Sequence, residues 1–108
     1  MRAEQVSAFI TKGTTPKAHK LHSERVKEAP VPFIKVYNLT FDGTLDFSVK
    51  PTFISSNTHS RELARSIVIP GDVLMNIVGP PLGKVSVVPK EFPEWNINQA
   101  VARCYRPH

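Results

Sequence analysis

The sequence predicts one mixed α/β domain: a twisted, mostly antiparallel sheet of about six short strands with one or two short helices. Three observations predict this class. A chain of 108 residues buries enough surface for a single core. Ten prolines against five glycines favour many short elements over a helical bundle. Short apolar runs alternate with turn signals, and the sequence has no internal repeat.

Most of the predicted strands lie after residue 30. Period-two alternation predicts a strand over 33–37, and Asp42-Gly43 marks a turn. The segment 72–78 is apolar on both faces apart from Asn76, which is typical of a central strand, and 84–88 is expected to pair with it. Other short strands are predicted over 45–47, 52–55, 67–69 and 97–105.

Two helices are predicted. The first is short and covers 3–9. The second covers 57–68, with Asn57 or Thr58 as N-cap and with Leu63, Ala64 and Ile67 on one face. Arg61 and Arg65 are four residues apart on this helix, which costs a few tenths of a kcal/mol unless an anion lies nearby.

Positive charge is concentrated near the N-terminus. The net charge is +5, which suits a polyanionic partner. The segment 12–30 is polar, has no steady period and is read as a long basic surface loop, a kind of segment that is often functional. Its cations, which a solvated loop would equally explain, are Lys12, Lys17, Lys20, Arg25 and Lys27.

Several kinds of chemistry are excluded by spacing. The stretch GPPLGK resembles a phosphate-binding loop, but Gly79 and Gly83 enclose three residues instead of four, and Val85 follows Lys84 where a Ser or Thr is needed. His19 and His22 lack a second ligand pair, so no metal site is expected. Neither a nucleophile–base pair nor a carboxylate cluster is evident, so we expect no catalytic residue.

Cysteine usage and hydropathy indicate the compartment. The single cysteine, Cys104, cannot form an internal disulfide, which favours a reducing environment, and on an apparently buried strand it is expected to be inert. No apolar run is long enough to span a membrane, and the N-terminus lacks signal-peptide order. We therefore expect a cytoplasmic protein that does not contact a membrane.

A binding module with basic loops and polar amides near its strand ends is what these exclusions leave. Lysines and threonines around 12–17 offer donors to phosphates, while amide and guanidinium groups can pair with base edges in the major groove. Asn76, Asn98 and Gln99 are further amides, although the last two are expected to bond backbone within the domain. The predicted DNA contacts are Lys12, Thr14, Thr15, Lys17, Lys20, Lys35, Asn38, Arg61, Arg65 and Lys84.

Four motifs, in order, resemble one family. FITKGTTP, VPFIKVYNLTFDG, SIVIPGDVLMNIVGPPLGKVSVVP and INQAVARCYRP, from about Phe9 to Pro107, are similar to the target recognition domain of type I restriction–modification specificity subunits. The resemblance implies a non-catalytic subunit that reads one half of a bipartite double-stranded DNA target. Methyltransferase and restriction subunits would then supply methyl transfer and cleavage. In that family S-adenosylmethionine binds the methyltransferase subunit, so no cofactor site is expected in this chain.

The chain departs from the family in one respect. Specificity subunits carry two such domains joined by long helices, and no long helical period is found here. Residues 1–108 are therefore expected to be a partial recognition domain, with an exposed apolar strand edge near 97–105 that favours self-association. The alternative function is a protein-interaction module, an assembly fragment or decoy that binds restriction–modification subunits rather than DNA.

Overall fold

The computed structural model describes residues 11–17, 20–78 and 83–107. The predicted helix over 3–9 and the loop residues 79–82 lie outside this part of the chain. The described residues form seven strands, β1 (Thr11–Lys12), β2 (Val31–Ile34), β3 (Phe53–Ile54), β4 (Val73–Asn76), β5 (Val85–Val87), β6 (Asn96–Ile97) and β7 (Val101–Tyr105). Three helical turns complete them: a 3-10 helix Val36–Asn38, a π-helix Thr58–Glu62 and a 3-10 helix Ala64–Ser66.

The strands form two sheets. One has four antiparallel strands in the order β1-β7-β4-β5, and the other has three in the order β3-β2-β6, of which β2 and β6 are parallel. The predicted fold class and mostly antiparallel pairing are confirmed. The central position of β4 and its pairing with β5 are confirmed as well.

The single strand predicted over 97–105 is wrong, because a turn divides it. The Asn98 side chain accepts the Ala100 N–H at 3.0 Å, and the Val101 N–H donates to the Asn98 carbonyl at 3.1 Å. This turn places β6 in the smaller sheet and β7 in the larger. The exposed apolar edge expected over 97–105 is not found along most of this segment, since β7 pairs with β1 and β4 and both residues of β6 are buried. Tyr105, at the end of β7, is half exposed.

The main core fills the space between the two sheets around Trp95, which is fully buried. Phe47 and Phe92 meet its ring edge-on, with centroids 5.3 and 5.1 Å away. The indole N–H donates to the Phe92 carbonyl at 3.1 Å. Each large apolar side chain buried in this way contributes about 1.5–3 kcal/mol. The buried members of the cluster are Ile34, Leu39, Val68, Leu74, Val88, Trp95, Ile97 and Val101.

The helix predicted over 57–68 is two short turns instead. The Ser55 hydroxyl, and not Asn57, accepts the Thr58 N–H at 3.1 Å, and the Leu63 N–H then donates five residues back to Thr58 at 2.9 Å. This wider π turn rotates Leu63 into the core, whereas Ala64 is left exposed. The predicted shared face of Leu63 and Ala64 is therefore wrong.

The Pro70-Gly71 turn before β4 is fastened by a buried carboxylate. Asp72 is 0% exposed and accepts the Ile69 N–H at 2.9 Å. Arg106 donates to both Asp72 oxygens at 2.8 Å and to the Ile67 carbonyl at 3.1 Å. Such a two-pronged pair is strong because the guanidinium and carboxylate geometries match. It joins the end of β7 to the turn that begins β4.

Replacing Asp72 by Asn should lower the free energy of unfolding by about 3 kcal/mol, since it leaves the Arg106 guanidinium without its anion beside a buried amide. Urea denaturation followed by tryptophan fluorescence measures the loss. The control is Glu91→Gln on an exposed turn, which should change stability by less than about 0.5 kcal/mol. Equal stability of the two variants would contradict the importance of this pair.

Candidate nucleic-acid interface

Several strand ends meet at one end of the domain. The Gly13 N–H, just after β1, donates to the Val101 carbonyl at the start of β7 at 3.1 Å. Asn76, the last residue of β4, lies opposite Val101, and Ile34, the last residue of β2, lies opposite Ile97. The register therefore places loop 13–17, Lys35, turn 98–100 and the start of β5 at the same end.

Loop 13–17 lies directly against turn 98–100. A Cβ atom at Gly13 would stand 2.1 Å from the Asn98 carbonyl oxygen and 2.2 Å from that of Ile97, so only glycine allows this approach. The Thr15 hydroxyl accepts the Gln99 N–H at 3.4 Å. Thr14 and Thr15 remain exposed. The loop is therefore held in place while its hydroxyls face solvent.

A cleft of about 570 Å³ opens between this loop and the segment 61–66. Thr14, Arg61, Arg65 and Gln99 are among the residues that line it. Both arginines are exposed, and among the described residues neither forms an ion pair. The carboxylate of the lining residue Glu62 is paired with the Lys20 ammonium. The cleft therefore carries net positive charge from its two guanidinium groups.

The position of the arginine segment depends on the buried side chain of Asn96. Its amide nitrogen donates to the Leu63 carbonyl and to His59 Nδ1, both at 3.0 Å. Its oxygen accepts the Ser66 hydroxyl at 2.6 Å and the Ile97 N–H at 2.9 Å. Because an amide nitrogen only donates, His59 Nδ1 accepts, and its Nε2–H donates to Glu94 at 2.8 Å. All four hydrogen-bonding positions of the amide are thus used to hold the segment against β6.

A second group of exposed side chains combines aromatic rings with lysines. Tyr37 is 55% exposed, and its ring lies under the ammonium groups of Lys35 at 5.8 Å and Lys50 at 5.0 Å. Phe41 is 64% exposed, with the Lys84 ammonium 5.8 Å from its centroid. Partial burial lowers the pKa of Lys35, and the neighbouring Lys50 charge lowers it further. We call these five residues the aromatic–lysine surface.

The structure brings most of the predicted DNA contacts to this end of the domain. Thr14, Arg61 and Arg65 line the cleft, and Thr15 adjoins it through its bond to Gln99. Lys12 ends β1 opposite Ala102, Lys17 is exposed at the end of the loop, and Lys20 pairs with Glu62. Lys35 and Lys84 belong to the aromatic–lysine surface.

Asn38 does not qualify as a DNA contact. It is 0% exposed, and its amide oxygen accepts the Lys35 N–H at 2.9 Å. Its nitrogen donates to the carbonyls of Asp46 at 3.0 Å and Val49 at 2.9 Å. The side chain that sequence reasoning assigned to a base instead holds the loop that follows β2.

Four residues of this end were not among the predicted contacts: Tyr37, Phe41, Lys50 and Gln99, the last of which was expected to bond backbone within the domain. A strand was predicted over 33–37, in which Tyr37 would share a face with Phe33, yet β2 ends at Ile34 and a 3-10 turn follows. Lys50 is distant from Lys35 in sequence and joins it only because β3 returns alongside β2. No local sequence signal indicates that Lys50 and Lys35 lie close together.

Metal-ligating side chains do not cluster in the described residues, and the single thiol lies outside the cleft. No group of three or more His, Cys, Asp or Glu side chains among them is placed to hold a metal ion. Burial raises the pKa of Cys104, which disfavours the reactive thiolate. No helix in the described part of the chain is long and apolar enough to span a membrane.

Comparison with solved structures found a chain of similar fold. No protein-family model matches the chain, and no curated protein matches it. A chain in a solved structure concerned with complex assembly and conformational transition of the type I R-M system has a similar fold, with a TM-score of 0.58 and 20% sequence identity. The similarity covers 90% of this chain and 21% of that chain. The present chain thus spans about one fifth of that chain's length and shares the fold of that part.

Replacing Gly13 by Ala should lower the free energy of unfolding by about 1–3 kcal/mol, because the added Cβ meets backbone carbonyls that cannot turn away. Hydrogen exchange of the Gly13 and Val101 amides should accelerate with it. Gly43→Ala is the comparison: that glycine has positive φ but open space around it, so only a local backbone cost applies. Unchanged stability in Gly13→Ala would contradict the close approach.

Proposed function

We propose that this chain is a non-catalytic double-stranded DNA recognition module of a type I restriction–modification specificity subunit, reading one half of a bipartite target. The observation that carries the proposal is the cationic cleft between loop 13–17 and segment 61–66. It is supported by the fold shared with part of a type I R-M system chain. Methyl transfer, with S-adenosylmethionine, and cleavage are assigned to partner methyltransferase and restriction subunits.

The cleft offers the chemical groups that DNA contact requires. Thr14 and Thr15 present hydroxyls to phosphate oxygens, as loops beside a duplex commonly do. Arg61 and Arg65 present exposed guanidinium groups, which bind phosphate or the O6 and N7 atoms of guanine through two hydrogen bonds. The exposed Gln99 side chain adds an amide of the type that pairs with adenine.

The fixed position of the two cleft walls favours sequence recognition as the function, rather than nonspecific electrostatic attraction to DNA. The Asn96 network holds the arginine segment to β6, and the Gly13 approach holds the threonine loop to the turn that follows β6. Both cleft walls are thus fixed to the same short strand. Side chains that are pre-positioned lose less entropy on binding, which favours a defined register on the duplex.

The double substitution Arg61→Gln and Arg65→Gln should weaken binding to a selected duplex about tenfold or more, since one good bidentate base contact is worth about 1–3 kcal/mol. Salt titration of fluorescence anisotropy should also show a shallower slope, by about 0.9 log unit for each phosphate that the variant no longer neutralises. The charge-matched control is Lys27→Gln with Lys90→Gln, because both lysines are exposed and lie toward the opposite strand ends.

The duplex for that test is chosen by incubating the wild-type chain with a randomised duplex pool and sequencing the DNA that the chain retains. Enrichment of a short motif with steep salt dependence is the expected result. Equal reductions in affinity in the two double variants would contradict a role for the cleft. A wild-type chain that retains no duplex at low salt would overturn the DNA function.

The second candidate is a protein-interaction module, favoured by one exposed apolar face. Val85 and Val87 on β5 are 39% and 45% exposed, and Tyr105, which lies opposite Val73 as Val87 does, is 51% exposed. Apolar surface of this kind often contacts another protein. The double substitution Val85→Thr and Val87→Thr separates the two functions: it should leave duplex affinity unchanged and lower affinity for restriction–modification subunits only under the interaction function.

A further inference from the structure

Lys35 and Lys50 hold their ammonium groups over the same aromatic ring. The two nitrogens lie 5.8 and 5.0 Å from the Tyr37 centroid, and the ring is more than half exposed. An aromatic face attracts each cation, yet it does not remove the repulsion between them. Burial and the Lys50 charge both lower the pKa of Lys35, as expected for a cation that lacks a counter-charge.

No carboxylate compensates this pair. Within ranges 11–17, 20–78 and 83–107, neither lysine lies within ion-pair distance of an acidic side chain. The acidic residues of the neighbouring loop are engaged locally. Asp42 accepts hydrogen bonds from Thr40 and Thr44, which lower its pKa to about 2, and Asp46 accepts the Ser48 hydroxyl and N–H.

The backbone of Lys50 adopts an unusual conformation. The φ angle of Lys50 is +44°, in the left-handed region. Among the described residues, Lys50 alone has a positive φ without being a glycine. A lysine gains nothing locally from this conformation, for which Gly or Asn is better suited. Such outliers persist where the surrounding structure holds them, and they cluster at ligand-binding sites.

We propose that Lys35, Lys50 and Tyr37 form an anion-binding site that takes a phosphate group of nucleic acid outside the cleft. That the phosphate belongs to nucleic acid rests on the proposed function. That the site binds an anion does not depend on it. Both ammonium groups lie within 5.8 Å of the Tyr37 centroid, so a phosphate bound beside that ring would find ammonium donors close by and would offset the repulsion between the two cations. This contact carries no base information, so it would anchor the duplex while the cleft reads sequence.

The location fits such an anchor. Lys35 directly follows β2, and the Ile34 carbonyl accepts the Asn98 N–H at 3.0 Å, next to the turn that borders the cleft. Lys50 reaches the same place because the Thr52 carbonyl, just before β3, accepts the Phe33 N–H at 2.8 Å. A duplex held by Arg61 and Arg65 thus meets a second cationic point at the same end of the domain.

The test uses the full chain in two measurements. Inorganic phosphate is titrated at constant ionic strength, balanced with chloride, while the Tyr37 ring signals are followed by NMR. A saturable shift is expected in the wild type and in the control Lys90→Gln, and its loss is expected in Lys50→Gln, which keeps a non-glycine residue at the strained position. The salt dependence of duplex binding is then measured for the same three proteins.

In a plot of log binding constant against log salt concentration, the slope for Lys50→Gln should be shallower than that of the wild type by about 0.9. The enriched DNA sequence should stay the same, and the control variant should match the wild type. Absence of a phosphate-specific shift in the wild type would overturn the anion site. A shift that disappears in Lys50→Gln while the DNA slope stays unchanged would overturn its assignment to nucleic acid. If the wild type binds no duplex, the proposed function fails, and the phosphate titration still decides the anion site.

Discussion

The buried amide of Asn96 is the constraint on which the candidate interface depends. It is fully buried, and it satisfies a carbonyl, a hydroxyl, a backbone N–H and an imidazole nitrogen at once. A buried polar group without such partners would cost about 1–3 kcal/mol for each one left unpaired. The segment 59–66 consequently has one arrangement against β6. The direction of Arg61 and Arg65 follows from that arrangement and not from helix propensity.

The two ends of the domain differ in how their charges are paired. At one end the Arg106–Asp72 pair closes the turn before β4, with each oxygen of the carboxylate bonded. At the other end the cations Arg61, Arg65, Lys35 and Lys50 have no acidic partner in the described part of the chain. Satisfied charges stabilise the fold, whereas unsatisfied ones are available to a ligand.

The strands of the domain are short, so its stability depends on the core and on bonded loops. With β1, β3 and β6 only two residues long, the domain gains little from any single ladder and relies on the aromatic core around Trp95. The loops between the strands are correspondingly long, and they are held by side-chain bonds such as those of the Asn38 amide and the Thr40–Ser86 bond of 3.0 Å. Loops positioned by a rigid scaffold are where binding residues commonly lie.

The sequence by itself determined the fold class, the central strand β4 and its partner β5, because their apolar period and the Pro-Gly turn are local signals. It also indicated most of the cations that gather at the candidate interface. Only the tertiary structure decided how they gather. The break at Asn98, the π turn that rotates Leu63, the burial of Asn38 and the meeting of Lys35 with Lys50 all depend on hydrogen bonds or packing that the alternation of apolar and polar residues along the chain does not encode.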